Sequence, residues 1–106
     1  HVDVWLIVVE PYYRALEVAG RVAALAQELE VPRILVVGNR VRTTGDATAV
    51  EEYCRKHDFP LAGMIPYDET VLEAERQGLA PIDYAPDGPA VKAVRALVAT
   101  ITAALV

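Results

Sequence analysis

The segment Val2-Asp3-Val4-Trp5-Leu6-Ile7-Val8-Val9 is almost continuously apolar and rich in β-branched residues, and it stops at Glu10-Pro11. A strand with one wet face alternates apolar and polar side chains, whereas an unbroken apolar run is covered on both faces, as in the interior of a parallel sheet. A strand is therefore predicted over about 3–9. From Tyr13 the period becomes helical. Leu16, Ala19, Val22, Ala23, Ala26 and Leu29 fall on one stripe while Arg14, Glu17, Arg21, Gln27 and Glu28 lie mostly off it, which predicts a helix over about 13–30 ended by Pro32.

A second apolar run, Ile34-Leu35-Val36-Val37, predicts a buried strand over about 33–37, with Gly38-Asn39-Arg40 following at its carboxyl end. Arg42-Thr43-Thr44-Gly45 reads as a loop, and Asp46 as the cap of a helix over about 46–57 that offers Ala49, Val50 and Tyr53 for burial. Leu61-Ala62-Gly63-Met64-Ile65 predicts a short strand over about 61–65, broken at Pro66-Tyr67-Asp68. A helix over about 69–77 is closed by Gly78, an extended connector runs from Leu79 to Pro86, and Asp87-Gly88-Pro89 opens a last helix over about 88–104. Val91, Val94, Leu97, Val98, Ile101 and Leu105 supply its apolar face. The alternation is that of an α/β fold, a parallel sheet with right-handed βαβ crossovers. Residues 1–106 read as part of one domain, and the apolar first strand leads us to expect further sheet on the N-terminal side of His1.

Composition narrows the function. With Lys+Arg 10 against Asp+Glu 15 and a net charge of -5, the chain lacks the clustered cations that displace counterions from nucleic acid, so no nucleic-acid partner is expected. The single cysteine, Cys54, cannot form an internal disulfide, which fits a reducing, cytoplasmic setting. Neither His1 nor His57 has a second metal ligand nearby in sequence, so no metal site is expected. There is no signal-peptide pattern. The longest uncharged apolar stretch, Ala96 to Val106, is far short of the roughly 20 residues of a membrane span, and no membrane partner is expected.

Ligands of open parallel sheets bind beyond the carboxyl ends of the strands, because loops and helix N-termini converge there. That rule selects Glu10-Pro11, Gly38-Asn39-Arg40 and Pro66-Tyr67-Asp68. The Asn39 carboxamide offers donor and acceptor together, which suits the N6 and N7 edge of adenine; an asparagine after a strand is also an ordinary turn residue. Tyr67 suits either a wall flanking a base or a half-buried aromatic. Asp68 can accept from a ribose or cap the following helix, and capping is the more ordinary role. Glu10 stands at a strand end, open to ligand, partner or solvent, and Pro66 stiffens its loop or simply ends the strand. No G-x-x-x-x-G-K-[ST] loop, Ser-His-Asp set, zinc spacing or H-E-x-x-H occurs, so no complete catalytic site is present in these residues.

The succession Val8-Val9-Glu10-Pro11, Ile34-Leu35-Val36-Val37-Gly38-Asn39-Arg40-Val41, Leu61 to Asp68 and Val71 to Gly78, in this order and over nearly the whole chain, resembles the C-terminal half of deviant Walker A ATPases. The CooC-type accessory ATPases, which help load nickel into carbon monoxide dehydrogenase, are the nearest branch, with MinD and ParA proteins as wider relatives. The resemblance implies the C-terminal part of a SIMIBI-type P-loop NTPase domain lacking its phosphate-binding loop. It implies a cytoplasmic parent that binds ATP or ADP with magnesium, forms a homodimer around nucleotide and serves a metalloenzyme client. It assigns Asn39 to adenine and the Pro66, Tyr67 and Asp68 loop to base and ribose, with Arg40, Glu10 and Pro11 beside them. Since the phosphate loop and the family's nickel-binding cysteines have no counterpart here, weak or no ATP binding is expected of this chain alone. Two alternatives stand beside this reading. One is a non-enzymatic interaction domain working through its sheet edge, Tyr12 and Tyr13; the other is a MinD-type positioning ATPase, which needs a basic amphipathic C-terminal helix, whereas no Lys or Arg follows Arg95.

Overall fold

The computed structural model describes residues 4–105, at 105 the backbone only. The expectations for His1, for Val2 and Asp3 in the first strand, and for the Leu105 side chain lie outside the described residues. The elements are β1 (Trp5–Val9), α1 (Tyr13–Glu28), β2 (Ile34–Val41), α2 (Thr44–His57), β3 (Leu61–Pro66), α3 (Glu69–Arg76), α4 (Pro81–Tyr84) and α5 (Pro89–Leu105). The strands form a parallel sheet in the order β1-β2-β3, so all three carboxyl ends lie on one edge. No helix among the described residues is long and apolar enough to cross a membrane.

On one face, α1 and α2 pack onto Ile7 and Val9 of β1 and Val36 of β2, with Ala19, Ala23, Val50, Tyr53 and Cys54 completing the core. The small residues of α1 let the helix approach the sheet closely. Tyr53 spans the two helices, its hydroxyl donating to the Ala19 carbonyl at 2.7 Å. Burial pushes that phenol up to about 12 and also raises the Cys54 thiol, so both stay protonated and inert at neutral pH. On the other face, α5 packs against β3, where Leu97 lies beside Gly63.

The strand covered on both faces is β2, in which Val36, Val37 and Gly38 are buried in succession. The expectation of two covered faces fails for β1. It is an edge strand in which Ile7 and Val9 are buried but Val8 is 59% exposed, because α5 sits over β3 at the far side of the sheet. Other boundaries move for local reasons. Thr43, not Asp46, caps α2: its hydroxyl accepts from the Asp46 N–H at 3.1 Å, and the Asp46 carboxylate accepts from the Thr43 N–H at 3.4 Å. This reciprocal pair starts the helix two residues earlier than expected. Helix α1 ends at Glu28, before Pro32 can act, because Glu30 takes a left-handed conformation (φ 52°) and the Val31 N–H returns to the Ala26 carbonyl. Leu29 consequently leaves the buried stripe and is exposed. The expected extended connector contains the short α4, with Pro81 at its first position. In α5 the apolar face is only partly core: Val91, Leu97 and Ile101 are half-buried, but Val94 and Val98 are exposed.

The approach of α2 to β2 depends on Gly38. A Cβ there would lie 3.1 and 3.2 Å from the two methyl carbons of Val50 and 3.3 Å from Met64 Cγ. Val50 is fully buried and β-branched, so it cannot rotate aside. Gly38→Ala should cost about 1 to 3 kcal/mol in urea unfolding, the usual range for overpacking; unchanged stability would mean that the helix can back away freely.

Candidate functional site

The carboxyl tip of β2 departs from regular pairing. Gly38 pairs with Met64 and Val41 with Pro66, so Asn39 and Arg40 together stand opposite Ile65 alone. Two residues against one is a β-bulge. Arg40 carries it in a left-handed conformation (φ 56°), and its Nε lies 3.4 Å from Glu10 Oε1 at the tip of β1. Asn39 and Arg40 therefore belong to the strand, not to a loop beyond it as their sequence suggests.

A cavity of about 310 Å³ opens beside this bulge and is lined by Asn39, Arg40, Pro66, Tyr67 and Asp68. Five of the eight residues that the strand-end rule selects thus meet in one place. Its remaining walls are mainly apolar: Ile65, Val71 and Leu72 on one side and Val91 and Val94 of α5 on the other, which strand-end reasoning did not find. In the sequence only Val91 and Val94 stand out, on the apolar face of the last helix. Glu10 is half-buried and lines a neighbouring open cleft that also reaches Asn39. Pro11 is half-buried and lines neither cleft.

Tyr67 is held from two directions. Its N–H donates to the Val41 carbonyl at 3.0 Å, which ties the Pro66-Tyr67 loop to the end of β2. The Arg42 guanidinium carbon lies 3.7 Å from its ring centroid, a cation–π contact over one face. Arg42 was missed in the sequence, where it stands in a polar loop 25 positions from its partner. Its backbone N–H donates to the Asp46 carboxylate at 2.9 Å, so the start of α2 also fixes the residue that covers Tyr67.

Asp68 is occupied by the fold itself. Its Oδ1 accepts from the Thr70 N–H at 2.9 Å and the Thr70 hydroxyl at 2.7 Å, capping α3, while Oδ2 accepts from the Ala90 N–H at 3.1 Å at the start of α5. The capping role weighed in the sequence is present, with a second helix tied to the same carboxylate. The Asn39 carboxamide differs: it is half-buried and makes no hydrogen bond among the described residues. His57 lies away from the cavity, its ring 4.7 Å from Tyr53 and 6.1 Å from Phe59, and among the described residues no three His, Cys, Asp or Glu side chains gather as metal ligands.

The hydrogen bonds from Thr70 and Ala90 hold the Asp68 carboxyl below its ordinary range. A carboxyl depressed by folding stabilises the protein above its unfolded pKa of about 3.9, and the gain is lost as pH falls through the lower folded value. Asp68→Ala should cost about 1 to 2 kcal/mol at pH 7, the value of a lost cap. In parallel denaturation curves the gap should narrow below about pH 4; a gap constant down to about pH 2 would show that charge on Asp68 contributes nothing.

No family model matches this chain. It is 32% identical over 85 residues to the carbon monoxide dehydrogenase accessory protein CooC of Rhodospirillum rubrum, a match covering 80% of this chain and 32% of that protein. Its fold superimposes on the MinD cell division protein of Aquifex aeolicus with a TM-score of 0.81 at 24% identity, covering 96% of this chain and 44% of MinD. A ParA family ATPase of Chlorobium tepidum follows with a TM-score of 0.72 and 27% identity over 95% of this chain and 41% of that one. The chain thus spans about a third of the curated relatives it matches and under half of each of these solved structures. Taken with its parallel sheet and helical crossovers, these likenesses place the chain as part of a MinD/ParA-like P-loop ATPase.

Proposed function

We propose that this chain is the base-recognising, C-terminal part of a longer CooC/MinD-type ATPase. The observation that carries the reading is the Asn39 carboxamide, without a hydrogen-bond partner among the described residues and set at the wall of a largely apolar cavity beside Tyr67. A carboxamide pairs with the N6 amine and N7 of adenine, and the apolar walls accept the ring. Tyr67, backed on one face by Arg42, acts as the rigid flank. Pro66 stiffens the loop, Asp68 holds it by its two helices, and Arg40 with Glu10 forms the charged rim.

The residues present fit a base, but they do not fit its phosphates. The sequence holds no glycine-rich lysine loop, and the cavity is lined by no lysine. Phosphates and magnesium are therefore assigned to the parent's own loop, and no hydrolytic step is derived from this chain. β1 is an edge strand among the described residues, and its free edge is where the parent's sheet would continue. Likeness to a carbon monoxide dehydrogenase accessory protein supports a parent that serves such a metalloenzyme client; nickel insertion, a cytoplasmic setting and ATP-dependent homodimerisation are proposed from the family resemblance. A second reading, an interaction domain without nucleotide, is favoured by one observation: Tyr12 and Tyr13 are exposed beyond the end of β1, Tyr13 by 82%. Sedimentation at several concentrations separates the two, since a stable dimer indifferent to nucleotide favours the second.

Calorimetric titration of ATP into this chain should give weak or no heat, whereas the chain extended through a phosphate loop should bind it. Tight magnesium-dependent binding by the 106-residue chain would contradict the assignment. In the extended polypeptide Asn39→Ala should weaken adenine nucleotides by about 1 to 3 kcal/mol, the worth of a bidentate base contact. Unchanged affinity together with an unchanged adenine-over-guanine preference would remove Asn39 from the site.

A further inference from the structure

Arg40 is the second residue of the bulge and one of three non-glycine residues with positive φ among the described residues. The other two, Glu30 and Asp58, lie beyond the C-terminal ends of α1 and α2, where a left-handed residue is a routine helix stop. Arg40 has no helix to stop. A left-handed long side chain inside a strand is uncommon and persists only where its surroundings enforce it. The geometry points to what it accomplishes here: we infer that Arg40 is a positioning residue acting through its backbone, whose left-handed turn sets the register that joins Asn39 to the Pro66-Tyr67 loop. The inference deepens the base-recognition reading and rests on it for its functional consequence.

In a regular strand Asn39 and Arg40 would point to opposite faces of the sheet. Because the bulge sets both against Ile65 alone, both line the same cavity. The extra residue also brings Val41 level with Pro66, and the Val41 carbonyl receives the Tyr67 N–H. Without it, a one-residue slip would carry Asn39 and Tyr67 out of step and turn the side chains after Gly38 to the other face. The Glu10–Arg40 ion pair is a separate matter. It joins half-exposed groups at 3.4 Å, and such surface pairs contribute little. What the site requires of position 40 is the sign of φ, not the guanidinium.

That distinction is open to test by substitutions that separate backbone from side chain. Arg40→Gly removes the guanidinium and makes positive φ easy, Arg40→Asn tolerates it, Arg40→Ala resists it and Arg40→Val resists it most. Amide exchange of Tyr67 in the 106-residue chain reads the register without any nucleotide. Protection should be kept in the Gly and Asn variants, fall in Ala and be lost in Val. In the polypeptide extended through its phosphate loop, the ratio of ADP to GDP affinity should follow the same order, staying within about twofold of the parent in Arg40→Gly and falling at least about tenfold in Arg40→Ala, consistent with loss of one base contact. Glu10→Gln should leave the Tyr67 protection unchanged, since the ion pair does not set the register. Equal behaviour of the Gly and Ala variants, or a loss of protection in Glu10→Gln matching that of Ala, would overturn the inference in favour of the guanidinium. If exchange follows the series while the nucleotide ratio does not move even in Asn39→Ala, the register device stands and the base-recognition reading falls.

Discussion

Everything at the candidate site follows from the central position of β2. Paired in parallel with β1 on one side and β3 on the other, it aligns three carboxyl tips on one edge and buries Val36, Val37 and Gly38 in succession. Parallel strands need a helical crossover between them, so α1 and α2 are obliged to lie against the sheet, and their small or β-branched residues fill the space over Ile7, Val9 and Val36. Gly38 then sits where α2 comes closest, one residue before the bulge. Close packing at Gly38 thus adjoins the irregular backbone of the bulge. A rigid floor of this kind lets a two-residue irregularity hold a fixed shape.

The site is built by helix caps as much as by strands. Asp46 closes the capping box of α2 and also holds the Arg42 backbone, and the Arg42 side chain covers Tyr67. Asp68 caps α3 and reaches the start of α5, so one carboxylate keeps two walls of the cavity in place. Both are acceptors satisfying the unpaired N–H groups at helix starts, a need that exists with or without a ligand. What they leave over is the Asn39 carboxamide, a polar group at the cavity wall that makes no hydrogen bond among the described residues.

Much of this was legible in the sequence because it is local. The change from strand to helix period at Tyr13, the Gly78 stop after α3 and the Pro89 start of α5 are written in adjacent residues. The candidate tips were legible too, since strand ends in parallel sheets fall together by topology, and Asn39, Arg40, Pro66, Tyr67 and Asp68 do share one cavity. What escaped depends on partners far along the chain. A bulge exists only relative to the strand opposite, and Ile65 lies 25 positions from Arg40. The same separation hides Arg42 from Tyr67. The apolar run of β1 suggested two covered faces because composition records what a strand can bury, not which neighbour stands beside it, and here β1 is an edge. The Thr43 cap was local and readable, as Thr-x-x-Asp, once the box rather than the single acidic residue is sought.

The most direct test observes the asparagine itself. In the extended polypeptide carrying its phosphate loop, labelled selectively at asparagine nitrogen, the Asn39 Nδ2 resonance should shift on saturation with ADP and stay in place with GDP. A resonance that remains still while ADP saturates, or that moves equally with both nucleotides, would contradict the account that these strand tips read the base.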